Sequence, residues 1–187
     1  NGETVVRREE RLGYTHEGTE RMMQGETLER AAQFAGRISG DSTVAYALAF
    51  VRAAETALDF APPTRAVYLR ALMAELERLA NHLGDFGAIC NDATFVLINA
   101  HASVLREHVL QAADFCFGHR LMRDRIVPGG VSVDLKPEGE TRLRDLVTEI
   151  VPKLQHLAAL YDDTPSLQDR TVTPGIARPE LVRQFAA

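Results

Sequence analysis

From Pro62-Pro63 onward the chain lays down Leu69, Leu72, Met73, Leu76, Leu79, Leu83 and Phe86 at intervals of three and four. That spacing puts side chains on one face of an α-helix and runs too long to be anything else. Proline is tolerated at a helix start, where its missing N–H is not needed. Arg65, Arg70, Glu77 and Arg78 read as the opposite, solvated face. Past Gly84 and Gly87 the pattern resumes through Phe95, Ile98, Ala102, Leu105, Val109, Ala112 and Cys116. Two long helices with a short connection predict an antiparallel pair.

The rest of the chain is built around that pair. Pro137 to Tyr161 predicts a third long helix with Leu143, Leu146, Val147, Ile150, Leu154, Leu157 and Leu160 inward, kinked or interrupted at Pro152. Ahead of the pair, Ser42 to Leu58 is an alanine-rich helical stretch, and Ser39-Gly40-Asp41-Ser42 supplies loop residues and a side-chain N-cap. Thr19 to Gln33 reads as two short helices broken near Gly25. Glu3 to Arg11 alternates weakly around Val5 and Val6, a strand that is marginal without a partner. Ile126-Val127-Pro128-Gly129-Gly130-Val131 must turn, and the segment before it, His119 to Arg125, is a basic patch. The expectation is a mainly α chain, a helical bundle with a long antiparallel helix pair and a small N-terminal strand element. Its divisions are a strand element over 1–15, a helical core over 16–161 and a proline-containing tail over 162–187.

Charge and composition remove several function classes. Asp and Glu outnumber Lys and Arg by 26 to 21, a net charge of -5, and phosphate backbones are bound by the opposite balance, so nucleic acid is not an expected partner. Hydrophobic residues make up 45% of the chain, enough for a packed core. No apolar run has the length of a membrane span. Cys90 and Cys116 lie in apolar surroundings and read as reduced core residues, which fits a cytoplasmic setting. The start at Asn1 suggests a piece of a longer chain.

Chemistry concentrates between Gly13 and Ser42. His16, Glu17 and Glu20 fall within about one turn if a helix starts near Glu17, a proton relay or simply carboxylates favouring the helix dipole. Ser39 and Ser42 stand at the spacing of a thiolate pair, with capping as their plainer role. His101 and His108 lie two turns apart on one face, a metal pair only if a third ligand comes from elsewhere. Asn91-Asp92 is a second polar island, either a C-cap network or a pocket carboxylate.

These residues resemble a family. Tyr14-Thr15-His16-Glu17-Gly18-Thr19-Glu20-Arg21 is similar to a box of the large (49 kDa, or D) subunit of respiratory complex I and of the large subunits of [NiFe] hydrogenases. Gly18, Glu20, Arg37 and Gly40 fall at the hydrogenase spacing without a gap, and Ala54-Glu55 resembles the Val-Glu that follows. Arg65-Ala66, Asn81-His82-Leu83, Asp92, Pro128-Gly129-Gly130-Val131, Asp134-Leu135 and Arg170-Thr171 resemble later elements of complex I, in order. Asn91-Asp92-Ala93 and Phe117-Gly118-His119-Arg120 look closer to membrane-bound, formate-hydrogenlyase-like hydrogenases.

The resemblance implies a large-subunit domain of a multisubunit oxidoreductase. It implies partners: an iron–sulfur small subunit carrying the clusters, a 30 kDa-like subunit and membrane-arm subunits, which would hold the chain peripherally on the cytoplasmic face of the inner membrane. Ser39 and Ser42 take the positions of the first nickel-binding cysteine pair, so the resemblance implies no NiFe centre and no cofactor held by this chain, with a quinone as the candidate ligand. Glu20 is the proton-relay candidate; His16, Arg37 and Asp92 are the candidate walls of a quinone cavity or proton path. Gly40 falls where complex I places its quinone-contacting tyrosine. The alternative is a non-catalytic helical interaction module derived from the same family, and self-association through exposed apolar surface is expected of either.

Overall fold

The structure, a computed structural model, describes residues 6–172 and 174–185. The antiparallel pair is its spine: α4 (Thr64–Asp92) and α5 (Val96–Phe117) pack along their length. Their approach is close enough that a Cβ on Gly87 would stand 2.8 Å from Asn99 Oδ1 and 3.2 Å from Ala102 Cβ. Ahead of them come α1 (Thr19–Met23), α2 (Leu28–Ala35) and α3 (Thr43–Ala57). After them, α6 (Gly139–Asp162) packs on α5, and α7 (Pro165–Thr171) and α8 (Pro179–Phe185) follow.

The main core gathers Val44 and Val51 of α3, Met73, Leu76 and Leu83 of α4, Ala102, Leu105, Val109 and Phe117 of α5, and Leu146 and Ile150 of α6. A second cluster, Cys90, Ile98 and Leu167, seals the far end of the pair, where Phe86 meets Tyr161 edge-on at 5.9 Å. Burying stripes from four helices in one place is what makes helices of this composition stable.

The mainly α expectation and the long helix pair hold, but the strand element lies elsewhere. Residues 6–15 form no strand, and residues 1–5, including Val5, lie outside the described residues. The strands are β1 (Ile126–Val127) and β2 (Gly130–Val131), antiparallel, with Ile126 opposite Val131 and Val127 opposite Gly130. Pro128-Gly129 forms the bend, and Gly129 takes the positive φ of 81° that the second turn position demands. Val6 has no strand beside it among the described residues, whereas the hairpin closes locally. Pro152 does not interrupt α6, which runs unbroken across it. Val147 faces solvent rather than the core.

Candidate functional site

Two charged residues that sequence places on the solvated face are buried on α4. Arg70 is 2% and Glu77 9% exposed, in line with Ala66, Met73 and Ala80 on the inward face.

Arg70 closes the hairpin onto the bundle. It donates to Glu55 Oε1 at 2.6 Å and Oε2 at 2.9 Å, and to the carbonyls of Val127 at 2.8 Å and Gly130 at 3.0 Å. Glu55, on α3, also accepts from the Gly129 N–H at 2.8 Å. The Arg70 guanidinium holds the Glu55 carboxyl below the usual carboxylate range, with the Gly129 N–H acting in the same direction. The bend is thus tied by hydrogen bonds to two helices at once.

Glu77 does the same for the start of α3. Its Oε2 accepts from the Val44 N–H at 2.5 Å and its Oε1 from the Ala45 N–H at 2.8 Å. The expected Ser or Asp cap is absent, since Ser42 stands at the N-cap without a side-chain bond into the helix, and a carboxylate from α4 replaces it. Burial pushes the Glu77 carboxyl up, the two N–H bonds pull it down and the neighbouring Asp41 charge pushes it up again; burial prevails. Asn81 of α4 holds the Asp41 carbonyl at 2.9 Å, so α4 fixes both the start of α3 and the loop before it.

Within that loop the hydroxyls have found a different use from metal binding. Ser39 Oγ donates to the Asp41 carboxylate, and Ser42 Oγ reaches the same oxygen at 3.4 Å. The Ser39 hydroxyl keeps the Asp41 carboxyl below its ordinary range. Neutral hydroxyls spent on a carboxylate do not fit a nickel ion, which takes soft thiolates. Cys90 and Cys116 offer no substitute: they sit in different core clusters and burial pushes both thiols up. Among the described residues no group of three or more His, Cys, Asp or Glu side chains is placed to hold a metal ion. His108 Nδ1 lies 2.9 Å from Glu149, and His101 lines a groove instead.

Glu20, the proton-relay candidate, and His16, Arg37 and Asp92, the candidate walls of a quinone cavity or proton path, have separate local surroundings. Arg37 forms a two-pronged pair with Asp124, at 2.7 and 2.8 Å, and so ties the loop to the basic patch. The Arg37 guanidinium holds Asp124 below its usual range. His16 Nδ1 accepts from the Gly18 N–H at 2.9 Å, and α1 starts at Thr19, not Glu17, leaving Glu20 exposed in its first turn. Asp92 lies at the last residue of α4, about 22 Å along the axis from Glu77. There it borders a cavity of about 600 Å³ with Ile89, Ala93, Arg170 and Thr171, and Arg170 is fixed by the Ala93 carbonyl at 2.7 Å.

Between α5 and α6 runs an apolar groove of about 710 Å³ floored by Leu97, Val104, Leu157 and Leu160. It provides the exposed apolar surface that the sequence leads one to expect. No helix among the described residues is long and apolar enough to cross a membrane.

This fold and loop match two family models that meet in mid-chain. The model for nickel-dependent hydrogenase covers residues 17–91, and that for the respiratory-chain NADH dehydrogenase 49 kDa subunit covers residues 93–186. The chain belongs to the family of the 49 kDa subunit, and its residues 17–91 are similar to the nickel-dependent hydrogenases. Among curated relatives, formate hydrogenlyase subunit 5 of Escherichia coli K12 is 28% identical over all of this chain and 33% of its own length. The D-type subunit of NADH-quinone oxidoreductase from Rickettsia conorii is 30% identical, over 95% of this chain and 45% of its own. NADH-quinone oxidoreductase subunit 4 of Thermus thermophilus is 29% identical, over 97% and 44%. The chain therefore spans between a third and a half of the length of these relatives.

Proposed function

We propose that this chain is a large-subunit domain of a multisubunit complex I-like or group 4 hydrogenase-like oxidoreductase, and that it works without nickel. The observation carrying this reading is the Arg37–Ser42 loop, which keeps the family spacing and an anchored backbone while both thiolate positions are serines bonded to Asp41. The chain then supplies scaffold and proton handling, and electrons pass through iron–sulfur clusters of a small-subunit partner. A 30 kDa-like subunit and membrane-arm subunits complete the assembly, placing it on the cytoplasmic face of the inner membrane. The α5–α6 groove is surface of the kind such partners cover.

Glu20 keeps the role of proton relay in this reading, being exposed and free to exchange protons with a partner-covered site. The cavity beside Asp92 favours a quinone as the small-molecule partner: Asp92 and Arg170 supply polar edges while Ile89 and Ala93 supply apolar wall. Arg170 would donate to a head-group carbonyl of the quinone there, and Asp92 would accept from the hydroxyl of the reduced quinol, with no contribution from His16, which is engaged at Gly18. The test is the native assembly carrying Glu20→Gln or Asp92→Asn, assayed for quinone reduction and proton uptake. A loss of tenfold or more in either variant, with assembly intact, is the expected result. Wild-type rates in both, or an assembly without an iron–sulfur partner, favour the non-catalytic interaction module instead.

A further inference from the structure

We propose that Glu77 is a proton-holding residue, and that the proton it takes loosens the grip of α4 on the Ser39–Ala45 segment. The geometry carries the argument. Both carboxylate oxygens are committed to backbone N–H groups, at 2.5 and 2.8 Å, inside the core. An ionised carboxylate satisfies both donors with charge-assisted bonds; a protonated one is a neutral, poorer acceptor and carries a hydroxyl hydrogen on one of the two oxygens, so the bonds to the Val44 and Ala45 N–H groups weaken. Proton uptake by Glu77 is therefore coupled to a looser hold on the helix start.

The surroundings set the balance. Among the described residues no cation is paired with Glu77, in contrast to Glu55 with its Arg70. A crevice of about 10 Å³, the size of one water, borders Glu77, with Asp41 from the loop, Asn81 from α4, Arg106 from α5 and Arg120 from the turn after α5 on its walls. Arg120 is already held by Glu107 at 2.6 Å. Burial opposes ionisation of Glu77 most strongly, the Val44 and Ala45 N–H groups favour it, and the Asp41 charge opposes it, with Arg106 and Arg120 the cations on the crevice walls. The same loop holds Ser39 and Ser42 and follows directly on Arg37, so the group that senses the proton also holds the family's functional loop.

That this proton serves a redox reaction rests on the proposed function; its uptake and its coupling to the loop do not. The experiment is a carboxyl NMR titration of the 187-residue chain together with amide exchange at Val44 and Ala45, expressed as protection relative to intrinsic exchange. Glu77 is expected to titrate above the ordinary glutamate range, and protection at one or both amides to fall about tenfold as pH drops through that midpoint. Asp41→Asn should lower the midpoint while leaving α3 in place, and Glu77→Gln should make protection independent of pH. Should Glu77→Gln fail to fold, the wild-type titration and Asp41→Asn decide. A midpoint in the ordinary glutamate range, or protection indifferent to the titration, overturns the proposal. A coupled titration in this chain alongside unchanged turnover of an assembly carrying Glu77→Gln supports the proton site and counts against its redox use.

Discussion

Arg70 of α4 and Glu55 of α3 make a two-pronged ion pair with side chains 3% and 8% exposed, and the same guanidinium holds two carbonyls of the Pro128-Gly129 hairpin. Removing one partner leaves an uncompensated charge in the core, which costs about 3–5 kcal/mol. Arg70→Met is therefore expected to destabilise the chain by that much in denaturant unfolding, and Arg70→Lys to recover little of it, because an ammonium lacks the planar fork that reaches both Glu55 oxygens and the hairpin. An exchange of Arg70→Met together with Glu55→Leu should remain destabilised, since the Val127 and Gly130 carbonyls lose their donor.

Gly87 stands where α4 crosses α5. Gly87→Ala places a methyl against Asn99 and Ala102 and is expected to cost about 1–3 kcal/mol through overpacking, read as a fall in thermal midpoint. Gly84→Ala, whose new methyl meets only the flexible Arg106 side chain at 3.4 Å, should be close to neutral or stabilising.

His119 gives the chain a pH-dependent turn. Its Nδ1 accepts from the backbone N–H groups of Leu121 at 3.1 Å and Arg123 at 3.3 Å, which requires an unprotonated Nδ1. Burial and then the charges of Arg123 and Arg125 push its pKa below 6.5. With the folded value below the unfolded one, the unfolded chain binds the extra proton first, so stability is complete above about pH 6.5 and falls as pH drops toward the folded value. Thermal midpoints measured across about pH 5 to 8 should show this slope in the wild type. His119→Asn, which keeps an acceptor oxygen without titrating, should flatten it.

Arg37 and Asp124 form a pair that is open to solvent, so its contribution is about 1 kcal/mol or less. Asp124 titrates below its usual range, and the stability it provides is present above the ordinary aspartate value and lost as pH falls through the lowered one. Asp124→Asn should remove that acid-side dependence and raise amide exchange in the 38–42 loop, without unfolding the bundle.

How much of this is legible in the sequence follows from particular residues. The Leu69 to Phe86 and Ile98 to Cys116 stripes announce α4 and α5 because apolar side chains repeat at helical spacing. Arg70 and Glu77 escape such a reading because charge normally marks the wet face; the available signal is their register, with Ala66, Met73 and Ala80 recurring at the same three- and four-residue steps. The hairpin shows only as a turn, since two-residue strands carry no alternation, while the weak alternation around Val5 and Val6 mimics a strand. The cap on α3 is invisible locally because its carboxylate comes from a residue 33 positions away. Glu20, Arg37 and Asp92 stand out through the family resemblance alone, since nothing in their local sequence shows that Arg37 meets Asp124 or that Asp92 meets the cavity shared with Arg170.

The measurement that bears most directly on the central claim is the metal content of the native assembly containing this chain, with nickel and iron counted per copy. Serines at both thiolate positions, bonded to Asp41, predict nickel at trace and several irons per copy from the clusters of a partner. Nickel near one per chain, or an assembly without iron, would contradict the account.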